Sequence, residues 1–284
     1  MFINTISYDL MLQCTCNYFK ITSDELKEYL KKIESEVDEG GNEEQLLDKY
    51  LDHLIDQTDR KFLDEMLFFH LSRRLNEPTY KELENFDKET KNLFELLSQQ
   101  SPISTFLKEY GIEFRKSDKG YLDVIDKGKV VNLDTLSDNR ISYLKGRLGY
   151  EKVGIDNAVN GFAFKITKKN DCNDYLNRLS RCPEFLSVLS SLLGRDQRII
   201  NDYKKKSTYY CYVYKVPLDN VIFDENDDYN NNQKIRFLFK NILSVIYHTI
   251  IYGEDNYTCN PIIRLEDNKN ISAQYFFTRI HVNN

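Results

Sequence analysis

Apolar positions recur at two different spacings along this chain, and the change of spacing divides it. Leu26, Tyr29, Leu30 and Ile33 form a stripe at helical spacing behind Ser23, a residue with N-cap chemistry. Glu39-Gly40-Gly41-Asn42 closes that helix. Leu46, Leu47, Tyr50, Leu51, Leu54 and Ile55 mark a second helix from about Glu43. The remaining faces of both are heavily charged. The pattern predicts a helical annex over residues 1–64, serving either as a packing layer or as a surface for a partner.

The next run, Glu65-Met66-Leu67-Phe68-Phe69-His70-Leu71-Ser72-Arg73-Arg74-Leu75, places an apolar block directly before a His, a hydroxyl and two guanidiniums. In a strand, alternate side chains face opposite ways, and His70 and Ser72 emerge together. Phe62, Leu63, Met66, Leu67, Leu71 and Leu75 also fit a helical stripe, with Arg73 and Arg74 favourable near its C-terminus. The pattern leaves both open. Residues 80–100 then suggest a helix through Leu83, Phe86, Leu93, Phe94 and Leu97, and residues 102–107 a shorter one stopped at Gly111.

From Ile112 the period shortens. Ile112-Glu113-Phe114-Arg115 and Tyr121-Leu122-Asp123-Val124-Ile125 flank an Asp118-Lys119-Gly120 turn and predict a hairpin, with a third strand at 129–133. Residues 138–148 suggest a helix ending at Gly149, and 160–166 a strand. Residues 174–193 suggest one or two helices broken near Pro183. Tyr209-Tyr210-Cys211-Tyr212-Val213-Tyr214-Lys215-Val216 is the clearest strand, being β-branched or aromatic at six of its eight positions. A polar loop at 224–233, a helix at 237–251 and strands at 261–266 and 275–282 complete the chain. Helices and strands without regular alternation predict α+β, with the annex at 1–64 and an α+β domain at 65–284.

Composition supplies a core, with 41% hydrophobic and 13% aromatic residues. A net charge of −6 argues against a protein that coats nucleic acid over its whole surface, though not against a local basic groove. The N-terminus lacks a secretory pattern, and no apolar run approaches the roughly 20 residues of a membrane span. The expectation is a soluble, cytoplasmic protein with no membrane role. Six Cys and four His make neither a C-x-x-C nor a His pair at ligand spacing, so no metal site is expected. Buried free thiols in a reducing compartment are expected instead. Phosphate-loop, dinucleotide-turn and nucleophile-elbow motifs are absent. Arg147 and Asp156 suggest an ion pair shaping a loop, with phosphate binding by Arg147 as the other reading. Lys204-Lys205-Lys206 suggests a solvated face, or a phosphate contact for a nucleic-acid substrate.

What remains is His70 with Arg73, the run Gly161-Phe162-Ala163-Phe164, the Tyr-rich strand running into Pro217-Leu218-Asp219-Asn220-Val221-Ile222, and Glu266 late in the chain. In this order the pieces resemble the mono-ADP-ribosyltransferases, over residues 66–282. The resemblance implies a split-β core holding NAD as substrate. It assigns His70 to the nicotinamide-side ribose, Arg73 to a phosphate, and Gly161, Phe162 and Phe164 to the strand against the nicotinamide. Glu266 becomes the carboxylate that steadies a positively charged sugar. Phe162 and Phe164 stand where the commonest form of the family has Tyr. Arg264 stands where a second Glu or Gln precedes the catalytic one, which argues against ordinary Arg-directed modification. The implied role is that of a toxin, effector or phage-defence enzyme, with a protein or nucleic-acid acceptor and a possible neutralising partner. The competing expectation is a non-enzymatic module that binds a partner through the helical annex.

Overall fold

The computed structural model describes residues 2–58, 63–76, 88–136, 139–150, 156–224, 226–253 and 259–283. Its elements begin with β1 (Phe2–Ile3), α1 (Tyr8–Phe19), α2 (Ser23–Asp38), α3 (Glu43–Gln57) and β2 (Glu65–Leu75). There follow α4 (Leu93–Ser98), α5 (Pro102–Lys108), β3 (Ile112–Lys116), β4 (Leu122–Asp126), β5 (Lys129–Val130) and α6 (Ile141–Arg147). Then come β6 (Asn160–Phe162), α7 (Tyr175–Arg178), α8 (Glu184–Leu192), α9 (Asp196–Lys206) and β7 (Ser207–Pro217). The chain ends with β8 (Ile222–Phe223), α10 (Asn231–Tyr252), β9 (Ile262–Arg264) and β10 (Phe276–His281). One sheet has the order β10-β7-β2-β6-β9-β8, with β1 parallel to β2 off that path, and β3-β4-β5 form a separate antiparallel sheet. The fold is α+β. The expected helix over 80–100 lies for most of its first half outside the described residues, and its described part is the short α4.

Two compact units divide the chain, and neither is contiguous. The first comprises Met1–Phe69, Gly161–Asp174 and Lys215–Arg264; the second comprises His70–Asn160, Tyr175–Tyr214 and Leu265–Asn284. The expected boundary after residue 64 is therefore corrected. The early helices do not make a unit alone, because the late helix α10 covers their apolar faces.

In the first unit, Leu26, Leu30 and Ile33 of α2 and Leu47, Leu51 and Leu54 of α3 are buried, as are Leu238, Phe239, Ile242, Leu243 and Ile246 of α10. Each fully buried aliphatic side chain contributes about 1.5–3 kcal/mol. Thr22, not Ser23, caps α2: its Oγ1 accepts from the Glu25 amide at 3.1 Å, and the Glu25 carboxylate accepts from the Thr22 amide at 2.7 Å. Helix α1, which the apolar spacing did not announce, buries Met11, Cys16, Tyr18 and Phe19. The Phe239 ring lies 4.5 Å from Tyr18 and 4.7 Å from Phe19. Charges on α3 meet α10: Lys240 pairs with Glu44 at 2.7 Å and Asp48 at 3.0 Å, Arg236 with Asp52, and His248 with Glu43 at 3.0 Å. Cys172 and Cys259 form a disulfide with Cα atoms 5.5 Å apart, which corrects the expectation that all six thiols are free.

The second unit packs α4–α6, α8 and α9 around Leu97, Phe106, Leu107, Ile112, Val124, Leu144, Leu186 and Tyr203. The expected β3–β4 hairpin forms, with Phe114 opposite Val124, across a turn in which Gly120 takes a positive φ. Arg195 donates to both carboxylate oxygens of Asp126 at 2.6 Å and to the Tyr110 carbonyl at 3.0 Å. That fork ties the hairpin to the start of α9.

Strand β6 ends at Phe162 rather than running on to Ile166. Beyond it, Asn260 takes over the pairing, accepting from the Phe164 amide at 3.0 Å and donating to its carbonyl at 2.7 Å. Gly161 has a packing reason to be Gly: a Cβ there would lie 2.3 Å from the Phe68 ring and 2.7 Å from the Phe69 carbonyl. Phe68 is fully buried and cannot give way cheaply. Gly161→Ala should therefore cost about 1–3 kcal/mol by overpacking. A denaturant melt checks this; an unchanged midpoint at unchanged slope would show that the site has room.

Candidate functional site

Strand β2 settles the alternatives its sequence left open. Met66, Leu67, Phe68 and Phe69 are buried one after another, as in a strand covered on both faces. From His70 onward burial alternates: Leu71, Arg73 and Leu75 are buried, while His70, Ser72 and Arg74 are half-buried. Residues at even separation share a face of a strand. His70 and Ser72 therefore emerge together as expected, but Arg73 turns the other way, and the guanidinium that accompanies His70 is Arg74.

Arg73 is spent on the protein. Its Nε donates to Ser207 Oγ at 3.0 Å, Nη1 to the Ser180 carbonyl at 2.6 Å, and Nη2 to the carbonyls of Lys204 at 3.0 Å and Ser207 at 2.8 Å. Tyr203 donates to the Arg73 carbonyl at 2.7 Å. A guanidinium holding three carbonyls and a hydroxyl is a structural tie, and it leaves Arg73 occupied by the protein itself.

Arg74 lies among aromatic and hydroxyl groups. Its guanidinium carbon is 3.8 Å from the Tyr212 ring centre, and Nη2 donates to Thr90 Oγ1 at 2.6 Å and approaches the Tyr214 hydroxyl at 3.4 Å. Thr90 Oγ1 and the Tyr214 hydroxyl are 2.7 Å apart. Burial pushes both phenols up, and Arg74 opposes this. They stay protonated, and the Arg74 cation sits over a neutral π-face.

His70 Nδ1 lies 2.8 Å from the Asn160 carbonyl. A carbonyl only accepts, so Nδ1 carries the proton, and in the neutral ring Nε2 is left as the acceptor. Burial pulls the imidazole down to about 4; the Asn160 carbonyl resists this, and the Arg74 charge adds to it. At neutral pH the ring is thus an uncharged hydrogen-bond acceptor, suited to a hydroxyl.

Glu266 is exposed, just beyond β9, in a turn where its carbonyl accepts from the Lys269 amide at 3.2 Å. The preceding amide, Leu265, donates to the Val159 carbonyl at 3.1 Å, next to the Asn160 that holds His70. Buried Asn157 secures the turn, donating its amide to Asp267 Oδ1 at 3.0 Å and its side-chain Nδ2 to Asn268 Oδ1 at 3.3 Å. Arg147 pairs with Asp156 at 3.2 Å, as the sequence suggests.

The six expected site residues are thus divided. His70, Arg73 and Glu266 belong to the second unit; Gly161, Phe162 and Phe164 belong to the first. Phe162 lies opposite Phe69, and both Phe162 and Phe164 are buried. Arg74, Thr90, Tyr212, Tyr214, Asn157 and Asn160 went unremarked as site residues. Only Arg74 carried a usable signal, its even spacing from His70.

Among the described residues no three His, Cys, Asp or Glu side chains gather as a metal site, and no helix is long and apolar enough to cross a membrane. No protein-family model, curated protein sequence or solved structure matches the chain significantly.

The two adjacent arginines should separate in experiment. Arg73→Lys keeps the charge but loses the fork, leaving buried carbonyls unpaired at about 1–3 kcal/mol for each such group. Its thermal midpoint should fall by several degrees, and further than that of Arg74→Lys, which loses a bond to Thr90 and part of a ring contact. Equal melting of the two variants would contradict the alternation of β2. His70 gives a pH signature. The unfolded chain protonates this ring near 6.5 and the folded chain near about 4, so between these values the unfolded state binds more protons. The contribution of the neutral ring is full above about 6.5 and is lost as pH falls toward about 4, at most about 3 kcal/mol. Stability measured down that window should fall less steeply in His70→Gln, and parallel curves would show that His70 does not titrate in this way.

Proposed function

We propose that this chain transfers ADP-ribose from NAD to a macromolecular acceptor. The observation that carries the proposal is the His70 arrangement in the second unit. A neutral imidazole with an acceptor Nε2 shares one strand face with a cation, Arg74, and the carbonyl that fixes the imidazole adjoins the strand contact that anchors the Glu266 turn. Ribose hydroxyls, a pyrophosphate and an oxocarbenium-like sugar call for these three chemistries: an acceptor, a cation and a carboxylate. In the reaction the bond from ribose C1′ to the nicotinamide nitrogen breaks, and nicotinamide leaves neutral with the electron pair. An acceptor nucleophile bonds to C1′ and gives up its proton. Glu266 offsets the positive charge on the sugar between those events. His70 orients the ribose through its hydroxyls, and Arg74, in place of Arg73, meets a phosphate. The proposed setting is the cytoplasm, where the chain acts as a toxin, effector or phage-defence enzyme with or without a neutralising partner. There the Cys172–Cys259 pair meets a reducing poise.

The alternative, a non-enzymatic module that binds through the annex, has less to stand on. The apolar faces of α2 and α3 are buried, and the acidic residues of α3 already pair with Arg236, Lys240 and His248.

Glu266→Gln is nearly isosteric and removes only the charge. With labelled NAD and cell lysate, wild type should label protein or nucleic acid, and the variant should lose about a hundredfold or more of that rate at unchanged thermal stability. Equal labelling would take Glu266 out of the mechanism. No labelling by wild type would count against transfer altogether.

A further inference from the structure

Cations and aromatic rings interleave across the second unit's part of β7 and the whole of β10. Tyr210, Tyr212 and Tyr214 alternate along β7 and so share a face. In the antiparallel register His281 stands opposite Tyr210, Arg279 opposite Tyr212 and Phe276 opposite Tyr214, so these residues join the same face. The Arg279 guanidinium lies 5.0 Å from the Tyr210 ring centre, and the His281 ring meets the same tyrosine edge-on at 5.5 Å. Lys88 lies 6.0 Å from the Phe276 ring, and Arg74 covers Tyr212 one strand further in. The inner rings, Tyr212 and Tyr214, are fully buried; toward β10 the face opens, with Tyr210 half-buried and Phe277, Arg279 and His281 exposed. β10 is the edge strand of the sheet order, and a register shift between Phe276 and Thr278 marks an irregularity at Phe277.

We propose that this face, carrying Tyr210, Phe277, Arg279 and His281, binds single-stranded nucleic acid. Unstacked bases present π-faces that stack on aromatic rings and on guanidinium planes, while the phosphates between them need spaced cations. A duplex keeps its bases stacked and offers only its phosphates. The net charge of −6 does not oppose this, because the binding is local and Arg74, Lys88 and Arg279 lie on one face. The proposal deepens the transfer reading by naming the acceptor as a nucleic-acid strand. Binding is measured without NAD, however, so its failure and the failure of transfer are separate results.

The test is fluorescence anisotropy of the full chain with short labelled oligo(dT) and oligo(rU), a duplex of the same length, and polyglutamate as a polyanion without bases. Binding of either single strand at least about tenfold tighter than duplex and polyglutamate is expected. Its logarithmic salt slope should fall by about 0.7 for each phosphate that a variant no longer neutralises. Arg279→Ala with His281→Ala should weaken binding about tenfold or more and lower that slope. Tyr210→Ala should weaken binding about tenfold with the slope unchanged, since it removes stacking and no charge. Arg279 and His281 are exposed, so the double variant should melt within a few degrees of wild type although Arg279 also bonds the Tyr212 side chain; should it not, Arg279→Gln supplies the same comparison. Absence of single-strand binding at low salt, equal affinity for polyglutamate, or wild-type affinity in the variants would each overturn the proposal.

Discussion

A guanidinium taken out of water without partners would cost several kcal/mol, and Arg73 avoids this only because four acceptors converge on it. They come from the residues just after α7, from the last turn of α9 and from the first residue of β7. One buried cation therefore holds the second half of β2 to the corner where α9 becomes β7. Tyr203 closes the loop by donating to the Arg73 carbonyl, and Ser207 Oγ in turn donates to the Tyr203 carbonyl at 2.5 Å. With Arg73 fixed inward, strand alternation leaves no choice for its neighbours. His70, Ser72 and Arg74 take the other face, and the chemistry of the second unit follows from that.

The elements most legible in the sequence are those whose own pattern is unambiguous. β7 is dense in tyrosine and β-branched residues, the β3–β4 hairpin has its Gly turn, and α2 and α3 have clear stripes. The β2 segment is ambiguous because two arginines after an apolar block suit a helix C-terminus as well as a strand. Arg73 and Arg74 look interchangeable as letters; only the parity of a strand separates a structural tie from an outward cation. The sequence singles out His70 as a candidate, but not its tautomer or its depressed proton affinity. Both depend on the Asn160 carbonyl, 90 residues away. The Cys172–Cys259 pairing is hidden for the same reason, since a separation of 87 residues carries no local signal. Gly161 and Phe162 draw attention in the sequence through a family resemblance, and what is seen of them is a ring-on-glycine contact and burial.

Long-range pairing also explains the acidic annex. On α3, Glu43, Glu44, Asp48 and Asp52 look like a solvated or partner-facing row, yet α10 presents His248, Lys240 and Arg236 to them. Each half-exposed pair contributes little alone. Together they favour one register of α10 over α3, which the apolar positions by themselves, repeating every turn, specify less sharply. Charge here selects an alignment, and hydrophobic burial supplies most of the stability.

The spacing along β2 bears on what the second unit can accept. His70 and Arg74 are four residues apart on one face, roughly 13 Å between their Cα atoms at about 3.3 Å per residue. A monosaccharide is too short to meet both without the Arg74 side chain folding back, and that side chain is already held by Thr90 and the Tyr212 ring. A ligand that meets both must be extended, with a hydroxyl at one end and an anion toward the other. Charge orders the ligand in the same sense. Arg74 disfavours a cation at its own end, while His70, kept neutral partly by that same Arg74, accepts a hydroxyl proton and draws no anion of its own. Under the transfer we propose, a dinucleotide would lie along the strand with its sugar at His70 and its pyrophosphate toward Arg74.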